Sequence, residues 1–225
     1  MIPVTKIIRS CRSCKFITQT QRDLSFLFGS NNGAQSYSAK RILPYESTRL
    51  YELISDIDSY SSFVPFCKHS KVTKQYSPDN DGIRWPAEAD LTIGWMTLEE
   101  SFTSRIYCEP GSVVEALSGE AETSLKNNKL LLRSPNIHSP EKSASVFQFL
   151  RTKWTVTPFQ KSVTTTTSQE VIQHNNIKDQ TQVNLDIEFK FTNPIYASMS
   201  ESFTPKIVGI MIEAFQKRAY DHLRN

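Results

Sequence analysis

The hydrophobic pattern is sharpest between Thr181 and Thr192. There Val183, Leu185, Ile187, Phe189 and Phe191 alternate with Gln182, Asn184, Asp186, Glu188 and Lys190. An uninterrupted period of two demands a strand with one dry and one wet face, and hence an antiparallel sheet. Ala87, Ala89, Leu91, Ile93 and Trp95 keep the same period. Near Gly94–Trp95 the parity flips, and Met96, Leu98, Phe102, Ile106 and Cys108 continue on even positions. A flip beside a glycine predicts a bulge or a tight hairpin. Pro110–Gly111 predicts a turn, Val113–Leu117 a further strand, and Leu150, Trp154 and Val156 another. Earlier in the chain, Ser38–Leu43 predicts a short extended segment ending at Pro44.

Two regions change to a period of 3.6. Leu50, Leu53, Ile54 and Ile57 predict a short amphipathic helix, followed by a second helical stretch over Tyr60–Val64 that stops before Pro65. At the carboxyl end, Asn193–Pro194 and Thr204–Pro205 each resemble an N-cap followed by proline at the first helical position. They predict one short helix, a bend and a long helix to about His222. The expected inner stripe is Ile207, Ile210, Met211, Ala214 and Phe215, preceded by Met199 and Phe203. The order is strand, two short helices, a run of antiparallel strands and a long terminal helix. It predicts an α+β helix-grip fold, a curved sheet wrapped on one helix, which can leave a cavity between the two. The polar stretches 118–144 and 160–180 read as surface insertions, the second as an extended hairpin arm.

Charge divides the chain. Of 26 Lys and Arg and 23 Asp and Glu, residues 1–36 hold five bases against one acid. That segment is also rich in Ser, Thr, Gln and Asn, the profile of a mitochondrial transit peptide. Residues 37–225 are close to neutral and lack the basic footprint of a nucleic-acid binder. No apolar run approaches the ~18 residues of a membrane span. Four cysteines do not make a disulfide scaffold. Cys11-x-x-Cys14 lies in the leader, and Cys67-x-His69 offers two ligands without a second pair, so no metal site is expected. There is no Gly-rich phosphate loop, no HExxH and no GxSxG, and no catalytic residue is assigned.

Several segments carry a resemblance. Arg41–Tyr45 (RILPY), Leu50–Tyr60 (LYELISDIDSY) and Phe63–Cys67 (FVPFC) resemble the opening of the mitochondrial coenzyme Q-binding proteins, START-like members of the polyketide cyclase superfamily. The likeness continues through Ala89–Gly94, Glu100–Ser104, Trp154–Pro158, Val183–Phe191 and Ala214–Ala219. It spans about residues 38–224 apart from the two insertions, and the chain departs from the pattern in the length of 118–144 and in Pro205. The resemblance implies a START-like helix-grip domain that binds coenzyme Q or its late precursors without cofactor or catalysis. It implies a lipid chaperone needed in respiration and quinone synthesis, peripheral on the matrix side of the inner mitochondrial membrane. The biosynthetic complex is a further implied partner. Bacterial relatives imply a rival role as a ribosome- or complex-associated module, and the superfamily a cyclase-like enzyme.

A polyprenyl tail needs apolar walls, each buried Å² contributing about 25 cal/mol. Candidate wall residues are Leu91, Ile93, Leu98, Phe102, Phe189, Phe191, Ile207, Ile210 and Met211, which could equally fill the core. Val64, Pro65 and Phe66 form a proline-limited turn suited to a cavity lip, a lipid contact or plain packing. Trp95, at the parity flip, suits a membrane interface, a cavity rim or the core. Parity puts Glu100 on the dry face with Leu98 and Phe102, where a carboxylate must be paired, protonated or beside a bulge. It either orients a quinone head or forms an ion pair.

Overall fold

A computed structural model describes residues 33–95, 98–125, 146–159, 180–193, 197 and 204–224. The leader and most of both insertions lie outside these residues, as does the short helix expected before Thr204, apart from Ala197.

Seven strands form one antiparallel sheet: β1 (Ala34–Leu43), β2 (Cys67–Gln75), β3 (Pro86–Trp95), β4 (Leu98–Glu109), β5 (Val113–Gly119), β6 (Phe147–Pro158) and β7 (Thr181–Phe191). Their spatial order is β1-β7-β6-β5-β4-β3-β2. Between β1 and β2 lie α1 (Ser47–Ser55) and α2, a 3-10 helix (Ile57–Ser62). The chain ends in α3 (Thr204–Leu223), laid across the concave face of the sheet. This is the expected helix-grip architecture.

Strand β7 shows how the sequence builds it. Val183, Leu185, Ile187 and Phe189 are all buried, whereas Asp186 on the opposite face is exposed. The parity flip is a tight hairpin: Trp95 pairs with Leu98 across the two residues that join β3 to β4. The segment 160–180 joins antiparallel neighbours, since Pro158 pairs with Thr181. β1 starts at Ala34, so residues 34–36 pair with β7 although they belong by composition to the leader.

β2 has no counterpart in the sequence reading. Its residues, CKHSKVTKQ, are mostly polar because it is an edge strand that buries few side chains. It is tied down instead by α2: Ser70 Oγ donates to the Ile57 carbonyl at 2.5 Å, and the Val72 amide donates to Asp58 Oδ1 at 2.7 Å.

The phase of α3 corrects one expectation. Its buried stripe is Val208, Ile212, Phe215 and Ala219, with Met211 and Leu223 packed beside it. Ile210 points outward and is 42% exposed, so it is not a wall residue. The first half of α3 is apolar almost all round, so periodicity there underdetermines the buried face. Phe215 fixes it. Its ring lies 4.3 Å from Trp154, 4.9 Å from Phe63 and 5.1 Å from Tyr60, centroid to centroid. Positions three and seven residues earlier, Ile212 and Val208, then face the sheet.

Candidate functional site

The concave face is closed at one end and looser at the other. Between the sheet, α1 and the carboxyl half of α3 the interior is solid: Leu50, Tyr51, Ile54, Ala87, Ile106, Cys108, Trp154, Val156, Leu185 and Phe215 are buried. Burial pushes the Cys108 thiol up to about 12, the Tyr51 hydroxyl beside it pulling the other way. Burial also raises the Tyr51, Tyr60 and Tyr76 hydroxyls. None of these groups is poised for proton transfer near neutral pH.

Towards the amino end of α3 the same face carries a band of aromatic rings. Phe147 lies 6.0 Å from both Phe102 and Phe189 and stacks on Phe191 at 5.0 Å. Phe189 meets Phe191 edge-on at 5.2 Å and stacks on Tyr37 at 6.3 Å. Phe189 is buried, but Leu91, Phe102, Phe147, Leu150 and Phe191 are only half-buried. Cross-strand register extends the band: Leu91 faces Phe102 and Ile93 faces Glu100.

This band coincides with a split in the sheet. β5 pairs with β4 only over Arg105–Glu109, so Leu98–Ser104 of β4 run on without β5 beside them. β5 leaves the sheet at Gly119, which has φ +62, and a Cβ there would stand 2.3 Å from the Gln148 carbonyl oxygen. Only glycine permits that exit. Across the split, Glu100 Oε1 accepts the backbone N–H of Val146 at 3.0 Å, and Phe102 touches Phe147. One oxygen of Glu100 is thus held by a main-chain donor, and no ion pair to Glu100 occurs among the described residues. At the closed end of the split, Ser104 Oγ and Ser118 Oγ are 2.8 Å apart and buried.

The candidate residues separate accordingly. Leu91, Ile93, Glu100, Phe102, Phe189 and Phe191 converge on the band, and Met211 and Ile207 lie half-buried on the helix side. Val64 is 8% exposed and belongs to the packed core, which favours the packing alternative for it. Pro65 is half-buried beside it. Phe66 is 39% exposed on a left-handed backbone, φ 66, its carbonyl accepting the Gly94 amide at 2.8 Å. A bulky residue pays about 1–2 kcal/mol for that conformation. Trp95 and Leu98 close the β3–β4 hairpin by their backbone.

Sequence reasoning missed Phe147, Val146 and the Ser104–Ser118 pair. Phe147, Phe149 and Leu150 do not alternate because a register shift falls between Phe147 and Phe149. Phe147 and Leu150 consequently face α3, whereas Phe149 joins a second small core on the convex face with Tyr107, Val113, Leu117, Ala121 and Leu125. Three apolar residues within four positions were the available signal for that bulge.

A cleft of about 320 Å³ lies elsewhere, at the opposite end of β3. Glu52, Asp56, Asp58, Arg84 and Trp85 are among the residues that line it. Its charged, mixed lining does not suit an apolar tail. Among the described residues no group of three His, Cys, Asp or Glu could hold a metal ion. No helix among them is long and apolar enough to cross a membrane.

Comparisons with known proteins agree with the helix-grip fold. The chain is similar to the mitochondrial coenzyme Q-binding protein coq10 of Schizosaccharomyces pombe, 28% identical over 185 residues that cover 82% of this chain and 87% of that protein. The Saccharomyces cerevisiae protein of that name is 26% identical, covering 91% and 81%. The ribosome association toxin RatA of Rickettsia prowazekii is 23% identical, covering 84% and 99%. Among solved structures, a START superfamily protein from Mycobacterium smegmatis superposes with a TM-score of 0.54 at 12% identity, covering 83% of this chain and 97% of its own. The Zhui aromatase/cyclase of a Streptomyces species gives 0.54 at 13%, covering 85% and 96%; at such identities the likeness concerns the fold alone. Residues 43–216 match one family throughout, and the chain belongs to the polyketide cyclase / dehydrase and lipid transport family.

Proposed function

We propose that the protein binds coenzyme Q, or its late prenylated precursors, with the prenyl tail against the aromatic band beneath the amino end of α3. The observation that carries this reading is the contrast along one sheet face: solid packing at one end, and half-buried Leu91, Phe102, Phe147, Leu150 and Phe191 at the other. Apolar side chains left partly uncovered on a concave face suit a hydrocarbon ligand. Burying a few isoprene units contributes several kcal/mol at about 25 cal/mol per Å², before the cost of ordering the chain. The named relatives support quinone as the ligand.

In this reading the protein is a chaperone and not an enzyme. It carries quinone for respiratory electron transport and efficient ubiquinone synthesis, peripherally on the matrix face of the inner mitochondrial membrane, after loss of a leader that ends before β1. Exposed Phe66 and the β3–β4 hairpin form the membrane-facing rim. The test is mass spectrometry of lipid extracted from the purified protein, followed by titration of quinone into the delipidated protein. Polyprenylated quinone in the extract, with saturable rebinding, is expected. A delipidated, folded chain without quinone affinity overturns the reading.

Similarity to RatA over nearly all of that protein's length favours a second reading, an interaction module for a ribosome or a biosynthetic complex. It predicts that ligand-free protein co-sediments with such a particle.

A further inference from the structure

The polar groups of the aromatic band determine which redox state of a quinone fits it. Gln35 and Tyr37 are occupied with their neighbours: Gln35 Nε2 donates to the Ala197 carbonyl at 3.1 Å, and the Tyr37 hydroxyl donates to Gln35 Oε1 at 3.1 Å. Ser104 and Ser118 bond each other. Glu100 differs. It is half-buried, register places it level with Ile93 and two positions from Phe102, and only one of its oxygens is engaged, by the Val146 amide. Its second oxygen accepts nothing from the described residues. The band thus presents a carboxylate oxygen, held in place by a backbone N–H, as its unfilled hydrogen-bonding position.

A carboxylate oxygen accepts hydrogen bonds and donates none. The ring oxygens of a benzoquinone are also acceptors, so they would meet Glu100 as two lone pairs in a poorly solvated site. The hydroquinone carries O–H donors, and O–H···O⁻ bonds are among the strong ones. Phenolic precursors of the quinone share that donor.

Resting on the quinone-binding reading above, we infer that the site is selective for the reduced or phenolic form, with Glu100 as the residue that discriminates. A negative charge that accepts from the bound ring and repels its oxidised form makes the protein a carrier of quinol and phenolic precursors.

The test uses the full chain and a short-tailed benzoquinone, titrated in its oxidised form and, under argon, as the hydroquinone. The hydroquinone is expected to bind at least tenfold more tightly. Glu100→Gln retains an oxygen for the Val146 amide and places an NH₂ donor where the second oxygen stood. It is expected to bring the ratio near one, mainly by tightening the oxidised form. Equal affinities in the natural protein, or a ratio that Glu100→Gln leaves unmoved, overturn this inference while leaving quinone binding intact. Binding of neither form overturns both.

Discussion

Phe215 is where the grip of the helix on the sheet is concentrated, and its removal gives a sharp test of the packing. The ring is 4% exposed and lies against Trp154 of the sheet, Tyr60 of α2 and Phe63 in the turn that follows α2. Phe215→Ala removes a buried aromatic, which typically costs about 3–5 kcal/mol. Neighbours that are themselves rigid rings cannot collapse into the gap, and three edge or tilted ring contacts are lost with it. The expected loss is therefore in the upper part of that range, about 4 kcal/mol, a large share of the ~5–15 kcal/mol that stabilises a domain. Ile210→Ala is the matched control. Ile210 lies five residues away on the same helix but faces outward, and its truncation should cost under about 0.5 kcal/mol. Urea unfolding followed by tryptophan fluorescence reads both, since Trp154 reports on the Phe215 contact. The slope against urea should be unchanged. A loss below about 1 kcal/mol for Phe215→Ala, or above about 1.5 for Ile210→Ala, would show that α3 sits in a different phase.

Glu115 is wholly buried on the convex face and accepts from Thr123 Oγ1 at 2.6 Å, the Ser124 amide at 3.1 Å and Ser124 Oγ at 2.8 Å. Glu115→Leu strands those donors, so it should cost about 3 kcal/mol and speed hydrogen exchange at Ser124 and Leu125; unchanged exchange would contradict it. Stability should fall on the alkaline side. Cys108 titrates at about 12 in the folded protein against 9.0 when free, so above pH 9 the unfolded chain has lost a proton that the folded one keeps. That stability is complete below pH 9 and declines by about 1–1.5 kcal/mol per pH unit as pH rises. The slope steepens above pH 10, where free tyrosines ionise and buried Tyr51, Tyr60 and Tyr76 resist. Cys108→Ala should flatten the pH 9–10 portion; an unaltered urea midpoint profile there would refute the assignment. Phe66→Gly relieves a left-handed φ and should change stability by less than about 1 kcal/mol in the same urea assay.

The parts of the molecule that the sequence reveals are those where one physical demand dominates. β7 alternates cleanly because one face is buried and the other wet, and the β3–β4 hairpin announces itself because a two-residue turn must flip parity. β2 stays hidden because an edge strand held by hydrogen bonds to α2 needs few apolar residues. The inner face of α3 is misread because Ile207, Val208, Ile210, Met211 and Ile212 are interchangeable in hydropathy, and a tertiary contact at Phe215 decides among them. Within the site, parity finds Leu91, Phe102, Glu100, Phe189 and Phe191. It cannot find Val146 or Phe147, whose positions depend on a bulge and on the early exit of β5 at Gly119.

Photolabelling of the intact protein with a benzoquinone whose prenyl-like tail carries a diazirine, followed by peptide mapping, locates the bound tail. The aromatic band predicts labels on β3, β4, the start of β6 and the end of β7, around Leu91, Phe102, Phe147 and Phe191, competed away by unlabelled quinone and lost in Phe102→Asp. Competed labelling of the outer cleft around Glu52, Ile83 and Arg84, with none on the band, would contradict the account.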